Sequence, residues 1–442
     1  MVIVLGALLL IWPALLNGYP ILFSDTGAFM AQTILPLMVW DKPYLYGPFL
    51  HLFHWRVSLW GPLLAQALIV SHLLWLAGRA VWPGAGWRAH AGLCAVLAAG
   101  TSLPWVVSLL MPDIFAPVLV LCLFLLGFTQ PRGWLLAWLT LLGGFAAAVH
   151  LAHLPLAAAL ILLVALTARR WGAVLRVAAP LGVALLALLG TNLAGHGRLA
   201  ISPYGSVFAL ARLVADGPAA RVIEQECAAG RPLHLCPWVG RLPTDSDNFL
   251  WSAEGPVWAP RTDGAQPGGP ISLAPEASDI VALTIRRYPL EVAALAARNA
   301  LAQMALSRVG DALIPDYLDV TVGLRLRQGE FPAAEQRRFR DSLQFDGRLP
   351  EVAARLTWPQ PWLVLLAVPF ALLGWWRAHM AGDRVRLGLV LCVLVGITAN
   401  AAITGALSMP HHRYQARVIW LLPLAAILGW RSPRPGREVH PG

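Results

Sequence analysis

The sequence has little charge and almost no lysine. Of its 442 residues, 13% are charged, and Lys42 is the only lysine. An ordinary soluble domain carries roughly 25% charged residues, so the deficit points to a chain whose main solvent is lipid. No Walker loop, dinucleotide fingerprint, Gly-x-Ser-x-Gly elbow or paired CxxC is present, which removes the soluble-enzyme classes those signatures mark. Acidic residues are scarce inside the apolar runs. Proton-coupled pumps place such groups at mid-membrane, so their scarcity argues against a pump, though not against a lipid flippase. A basic start is missing too. Val2 to Leu16 is apolar, and Asn17-Gly18-Tyr19-Pro20 offers no small-residue cleavage site, so the segment is expected to remain as a first span.

What is present is apolar residue in long runs, 58% of the chain, with a net charge of +10 carried by arginine. Runs near the length of about 20 residues needed for a span lie at 1–17, 61–82, 89–111, 114–129, 133–152, 154–168, 173–194, 357–376, 385–408 and 415–430. The expected fold class is therefore an all-α polytopic membrane protein of about ten helices. Its domains are 1–194 (helices one to seven, with an outer loop at 18–60), an insert at 195–356, helices eight to ten at 357–430, and a tail at 431–442. Trp60, Trp82, Trp87, Trp134, Trp358, Trp362, Trp420 and Trp430 near the run ends suit an interfacial belt.

Arginine placement sets the orientation. Arg79 and Arg88, Arg132, Arg169, Arg170 and Arg176, Arg377, Arg384 and Arg386, and finally Arg431, Arg434 and Arg437 all fall on one side if ten spans exist. That side is the cytoplasm of a bacterial inner membrane, and the insert then faces the periplasm or outside. The same interspersed pattern gives no expectation of nucleic-acid binding. Residues 289–309 are half apolar, but Arg298 and Asn299 at their centre make crossing costly, so they read as an amphipathic helix on the interface.

The insert has two parts. Up to about residue 280 it is rich in Gly, Pro and Trp and reads as loops and short turns; beyond that it reads as helices. Cys227 and Cys236 lie nine positions apart in its polar part. They are expected to form a disulfide if the segment faces an oxidising compartment, and are otherwise two free thiols. Cys94, Cys122 and Cys392 sit inside apolar runs as small hydrophobes.

Residues that could carry chemistry collect on the outer side. Asp25 follows the first span, in Phe23-Ser24-Asp25-Thr26-Gly27. A carboxylate beside hydrocarbon suits a general base; equally, Ser24 or Asp25 could cap a short helix. Asp113, in Met111-Pro112-Asp113, has the same two readings, and two aspartates at one face could accept a proton, orient a hydroxyl or hold a divalent metal ion. Near the last span, Arg413 and Arg417 in His411-His412-Arg413-Tyr414-Gln415-Ala416-Arg417 share a helix face. Outer arginines run against the positive-inside trend. They could bind a lipid-linked phosphate or snorkel to headgroups. His150 and His153 have ligand spacing but no evident third ligand, so they read better as cavity lining, alongside Tyr19, Tyr44, His51, His54 and Tyr414.

These three sites, in this order, resemble the GT-C superfamily of membrane glycosyltransferases, which includes protein mannosyltransferases, lipid A aminoarabinose transferases and oligosaccharyltransferases. Phe23-Ser24-Asp25-Thr26-Gly27-Ala28-Phe29 looks like the family's first outer loop with its catalytic aspartate. Met111-Pro112-Asp113 is similar to the acidic corner between spans three and four. Arg413-Tyr414 with Leu422-Pro423 looks like the family's late span. The chain departs from the pattern in two places: Asp25 stands without an acidic neighbour, and Asp113 follows its proline. The resemblance implies an inverting transfer of a sugar from a polyprenyl-phosphate donor to a lipid, glycan or protein. Asp25 would be the base, and Arg413 with Arg417, His411 or His412 would hold the donor phosphate. Three other readings stay open: a flippase of lipid-linked sugars, an O-antigen-ligase-like enzyme, and a non-catalytic assembly protein.

Overall fold

The computed structural model describes residues 1–35, 37–168, 170–260 and 268–430. Arg169 and the tail, with Arg431, Arg434 and Arg437, lie outside the described residues. Every regular element among those described is helical, and the one extended contact is an isolated parallel bridge between Ile21 and Leu109.

Hydropathy and length together set the frame. The first part of the chain folds as α1 (Val2–Leu10), α2 (Trp12–Asn17), α3 (Ser24–Ile34), α4 (Tyr46–His54), α5 (Trp60–Val81), α6 (Trp87–Gly100), α7 (Leu103–Ser108), α8 (Phe115–Phe128), α9 (Gly133–Ala148), α10 (His153–Ala168) and α11 (Trp171–His196). Next come α12 (Gly205–Ala215), α13 (Pro218–Ala228), α14 (Ser246–Trp251), α15 (Pro270–Arg287), α16 (Pro289–Ala305), α17 (Leu324–Gln328), α18 (Ala333–Arg340) and α19 (Leu349–Thr357). The chain closes with α20 (Gln360–Met380), α21 (Arg384–Leu407), α22 (His412–Ile419) and α23 (Leu421–Trp430).

Four helical stretches are long and apolar enough to cross a membrane: α5, α11, the near-continuous α19–α20 from Leu349 to Met380, and α21. Apolar side chains of α11 and α20 stand exposed, among them Leu175, Leu186, Leu365, Leu366 and Trp376. Soluble monomers rarely display such contiguous apolar surface, so this is a membrane protein with its oily faces turned to lipid. In contrast, α8 is buried almost throughout and forms the centre of the bundle.

Three of the expected spans are broken helices. The first divides at Ile11, beside Trp12-Pro13; the third divides at Thr101-Ser102, before Pro104; the last divides at Trp420, before Pro423. Proline lacks the N–H that continues a helix, and it pushes the preceding residue toward extended geometry. After the third break the chain runs extended from Leu109 to Met111, which leaves its backbone free to pair with Ile21.

The insert corrects the expectation of loops up to residue 280. Helices α12, α13 and α15 build a separate core there from Val207, Leu210, Val222, Ile223, Leu273, Ala277 and Ile280. Cys227 and Cys236 are disulfide-bonded at its edge, with Cα atoms 5.6 Å apart. The later part of the insert belongs to the main core instead, through Leu313, Val322, Leu326, Phe339 and Leu349. Of the stretch 289–309, Pro289–Ala305 forms α16 and the rest is loop. Asn299 and Gln303 of this helix are buried against the protein, while Leu290 and Leu301 are exposed. The helix lies close along α21, where a Cβ on Gly405 would meet the Asn299 carbonyl oxygen at 2.6 Å.

Candidate functional site

Backbone pairing places the first outer loop. The Ile21 N–H donates to the Ser108 carbonyl and the Leu110 N–H donates to the Ile21 carbonyl, both at 2.9 Å. The Thr26 hydroxyl adds a bond to the Leu110 carbonyl at 2.9 Å. The segment bearing Asp25 is thereby stitched to the segment that leads into Asp113. The capping alternative fails at both aspartates. Phe23 is the N-cap residue of α3, and its N–H donates to Thr26 Oγ1 at 3.1 Å. Asp113 sits in a 3-10 turn, Pro112–Ile114, with no side-chain cap bond. Both carboxylates are therefore available for other partners. Gly27 has a packing reason: a Cβ there would lie 2.7 Å from the Thr321 backbone, so α3 can approach the turn at Asp319–Gly323 only without a side chain.

Asp25 pairs with Lys42, Nζ to Oδ1 at 3.2 Å. Asp41 binds the same ammonium, which also lies 5.7 Å from the Trp251 ring centre. Trp251 packs with Trp40 and Phe208, so the second core reaches down to cover this pair. Burial alone would push the Lys42 ammonium toward neutrality; Asp25 and Asp41 outweigh it and hold the pKa above its ordinary value. The Asp25 side chain remains 34% exposed, which keeps it within reach of a ligand.

Asp113, by contrast, is 2% exposed. Its Oδ1 lies 3.4 Å from Arg417 Nη1 and 3.8 Å from Arg413 Nε. Arg417 is also buried, and its Nε and Nη2 donate to Asn400 Oδ1 at 3.1 and 2.9 Å. Asn400 in turn donates to the Tyr414 carbonyl at 2.7 Å and to Gln415 Oε1 at 3.0 Å. A buried guanidinium needs a counter-charge and filled hydrogen bonds, and α8's start and α21 supply both. Arg413 stacks on Phe23 at 4.3 Å and on Tyr414 at 5.2 Å. Burial opposes its charge, but Asp113, Tyr414 and Asp25 together hold its pKa above the ordinary value. Phe23 and Arg413 thus bring the Asp25 loop and the Asp113 corner together.

The insert contributes the remaining wall. The Arg413 N–H donates to Asp311 Oδ2 at 3.1 Å, and the Arg308 N–H donates to His412 Nδ1 at 3.1 Å. Gln303 exchanges two bonds with the His411 backbone, at 2.7 and 2.9 Å. His411 Nε2 lies 3.5 Å from Asp247 Oδ2 on α14. Between these parts opens a cleft of about 360 Å³, counting its mouth, with Trp105, Val106 and Leu109 on one wall and Arg308, Asp311 and Arg413 on another.

The other expected residues divide. His150 lies within electrostatic reach of Arg417, Arg413 and Lys42, and so borders the site. It stacks on His153 at 5.1 Å, whose Nδ1 is 2.6 Å from the Ala146 carbonyl. Tyr414 supports both arginines. Tyr19 is buried elsewhere: its hydroxyl donates to Glu335 at 2.7 Å, and Glu335 also accepts from Ser58 and Leu59. His51 and His54 pack together beside Phe331. Burial, then His51 and Arg56, lowers the His54 pKa to about 4. Tyr19 and His54 thus fasten the first loop to the insert, and His51 packs against His54. Tyr44 is partly buried. Sequence reasoning missed Asp41, Asn400, Gln303, Arg308 and Asp311 as members of the site, along with the role of Lys42. A lone lysine four positions before α4 and an asparagine inside an apolar run were the available signals.

The donor set does not suit a divalent ion. Both aspartates are already engaged by cations, and no group of three or more His, Cys, Asp or Glu stands together among the described residues. No protein-family model matches the chain, and searches of curated proteins and of solved structures each found no match.

Proposed function

We propose that the chain is an inverting membrane glycosyltransferase of GT-C type that moves a sugar from a polyprenyl-phosphate donor to a lipid, glycan or protein acceptor. In this reading all ten apolar segments cross a bacterial inner membrane, and the first loop, the insert and the His411–Arg413 corner share its outer face. The observation that carries the reading is the meeting, at one end of the bundle, of a partly exposed aspartate with two arginines braced by a buried one. Asp25 accepts the proton of an acceptor hydroxyl. The acceptor oxygen bonds to the anomeric carbon while the bond from that carbon to the phosphate oxygen breaks. Negative charge grows on the departing phosphate, and Arg413, with Arg417 behind it, stabilises that charge through donors already in place. Lys42 positions Asp25. Asp113 acts through the arginines, as their counter-ion, in place of the direct contact with acceptor expected from sequence.

The test is sugar transfer by the purified full chain from radiolabelled polyprenyl-phosphate sugars. Transfer by the wild type and its loss in a folded Asp25→Asn variant are expected. Equal transfer by the two would remove the base, and movement of intact donor across a vesicle bilayer without transfer would favour a flippase.

A further inference from the structure

The loop from Ser307 to Leu313 carries no apolar run and no recognisable motif, yet it is fixed from several sides. Gln360 donates to the Ser307 carbonyl at 3.1 Å, Arg308 donates to His412, and Gly310 and Leu313 close a turn at 2.8 Å. Gln344 reaches the Ala312 carbonyl at 3.3 Å, and Asp311 receives Arg413. A loop held by this many bonds presents its side chains in set positions.

Two of those side chains face the cleft with capacity to spare. Arg308 lines it and is exposed, and no carboxylate among the described residues pairs with its guanidinium. Asp311 uses Oδ2 on the Arg413 N–H, while its Oδ1 is buried with no hydrogen-bond partner; Arg413 Nη1 is likewise buried without one. Unfilled polar groups of this kind are costly and call for a partner. The cleft therefore has surplus donors on its arginines and a surplus acceptor on Asp311. Its formal charge is +3 from Arg308, Arg413 and Arg417 against −2 from Asp113 and Asp311. A ligand that satisfies both needs offers anionic oxygens next to a hydroxyl or ammonium group.

Resting on the glycosyltransferase reading, we infer that the insert completes the donor site: Arg308 binds the phosphate of a lipid phosphate sugar, and Asp311 takes a hydrogen bond from a hydroxyl or amine of the sugar attached to it. Arg308 sets affinity for phosphate, and Asp311 selects for the sugar.

The full chain in lipid nanodiscs tests this by direct binding of a polyprenyl monophosphate, the same polyprenyl phosphate carrying a hexose, the uncharged polyprenol and inorganic phosphate. Arg308→Ala is expected to weaken both phosphate lipids roughly tenfold or more, as loss of a charge-assisted bond does. Polyprenol binding should not change, and Arg308→Lys should lose less. Asp311→Asn keeps an acceptor for the Arg413 N–H. It should leave the bare phosphate lipid unaffected and weaken the hexose-bearing one about tenfold. Wild-type affinity in Arg308→Ala overturns the inference, as does an equal loss for both lipids in Asp311→Asn, or inorganic phosphate competing as well as the lipid. Arg308 is exposed, so its variants decide the question even if Asp311→Asn does not fold. Phosphate-lipid binding that needs Arg308, without any sugar transfer, would sink the enzyme reading and leave the site; transfer indifferent to Arg308 would do the reverse.

Discussion

Replacing Asp113 with alanine would leave Arg417 as a buried charge held by one asparagine. Arg417 is 1% exposed and Asp113 2%, so water cannot take the place of the lost carboxylate. Removing one member of such a buried pair costs about 3–5 kcal/mol. Arg417→Met should cost a similar amount, because Asp113 and Asn400 then lose their shared partner and only the more distant Arg413, 3.8 Å from Asp113, remains. The double variant removes both charges together and should be less damaged than the sum of the single losses by about 0.5–3 kcal/mol, the range for directly coupled neighbours. The assay can use the protein's own thiols. Cys94, Cys122 and Cys392 are free and buried, so their reactivity toward a thiol dye follows unfolding of the purified chain in detergent as denaturant rises. Losses that add to within about 0.5 kcal/mol would show the two residues to be independent and would undo the argument that Asp113 organises the arginines.

Three further outcomes follow from the same contacts. Gly27→Ala would press a Cβ against the Thr321 backbone, so α3 must move; a loss of about 1–3 kcal/mol in the thiol assay is expected, together with reduced sugar transfer. His54 stays neutral in the folded protein down to about pH 4, whereas an unfolded histidine takes a proton near pH 6.5. Protons therefore favour the unfolded chain across that window, and stability falls as pH drops from about 6.5 to 4; a His54→Gln variant should show a flatter slope, and an unchanged slope would contradict the assignment. Cys227→Ser opens a short loop and should cost the second core about 2–3 kcal/mol, read as faster proteolysis within residues 200–260 while the buried thiols stay protected.

The long helices could be read from the sequence because hydropathy acts locally. Runs such as Trp171–His196 and Arg384–Leu407 need no partner to declare themselves. Breaks at Ile11, Thr101 and Trp420 were less visible, although Pro13, Pro104 and Pro423 mark them, since each lies in a run that stays apolar on both sides. The helices of the insert's first part were missed because Gly and Pro suggested turns; Pro275 sits inside α15, and the periodic Leu273, Ala277 and Ile280 gain meaning only against α12. At the site, the aspartates and arginines stood out as polar residues at span ends. Their partners did not, because Asp113–Arg417 spans 304 positions and Arg413–Asp311 spans 102. No local pattern reports pairing at that separation.

A shared outer site requires the first loop and the insert that walls the late corner to open on one side of the membrane, and cysteine accessibility tests this directly. The native thiols are buried or bonded, so single cysteines can be placed at exposed Leu37, Tyr317 and Met380. In intact cells a membrane-impermeant maleimide should label positions 37 and 317 and spare 380, which becomes reactive only after lysis. Labelling of 37 without 317, or of 380 together with either, would contradict a shared outer site.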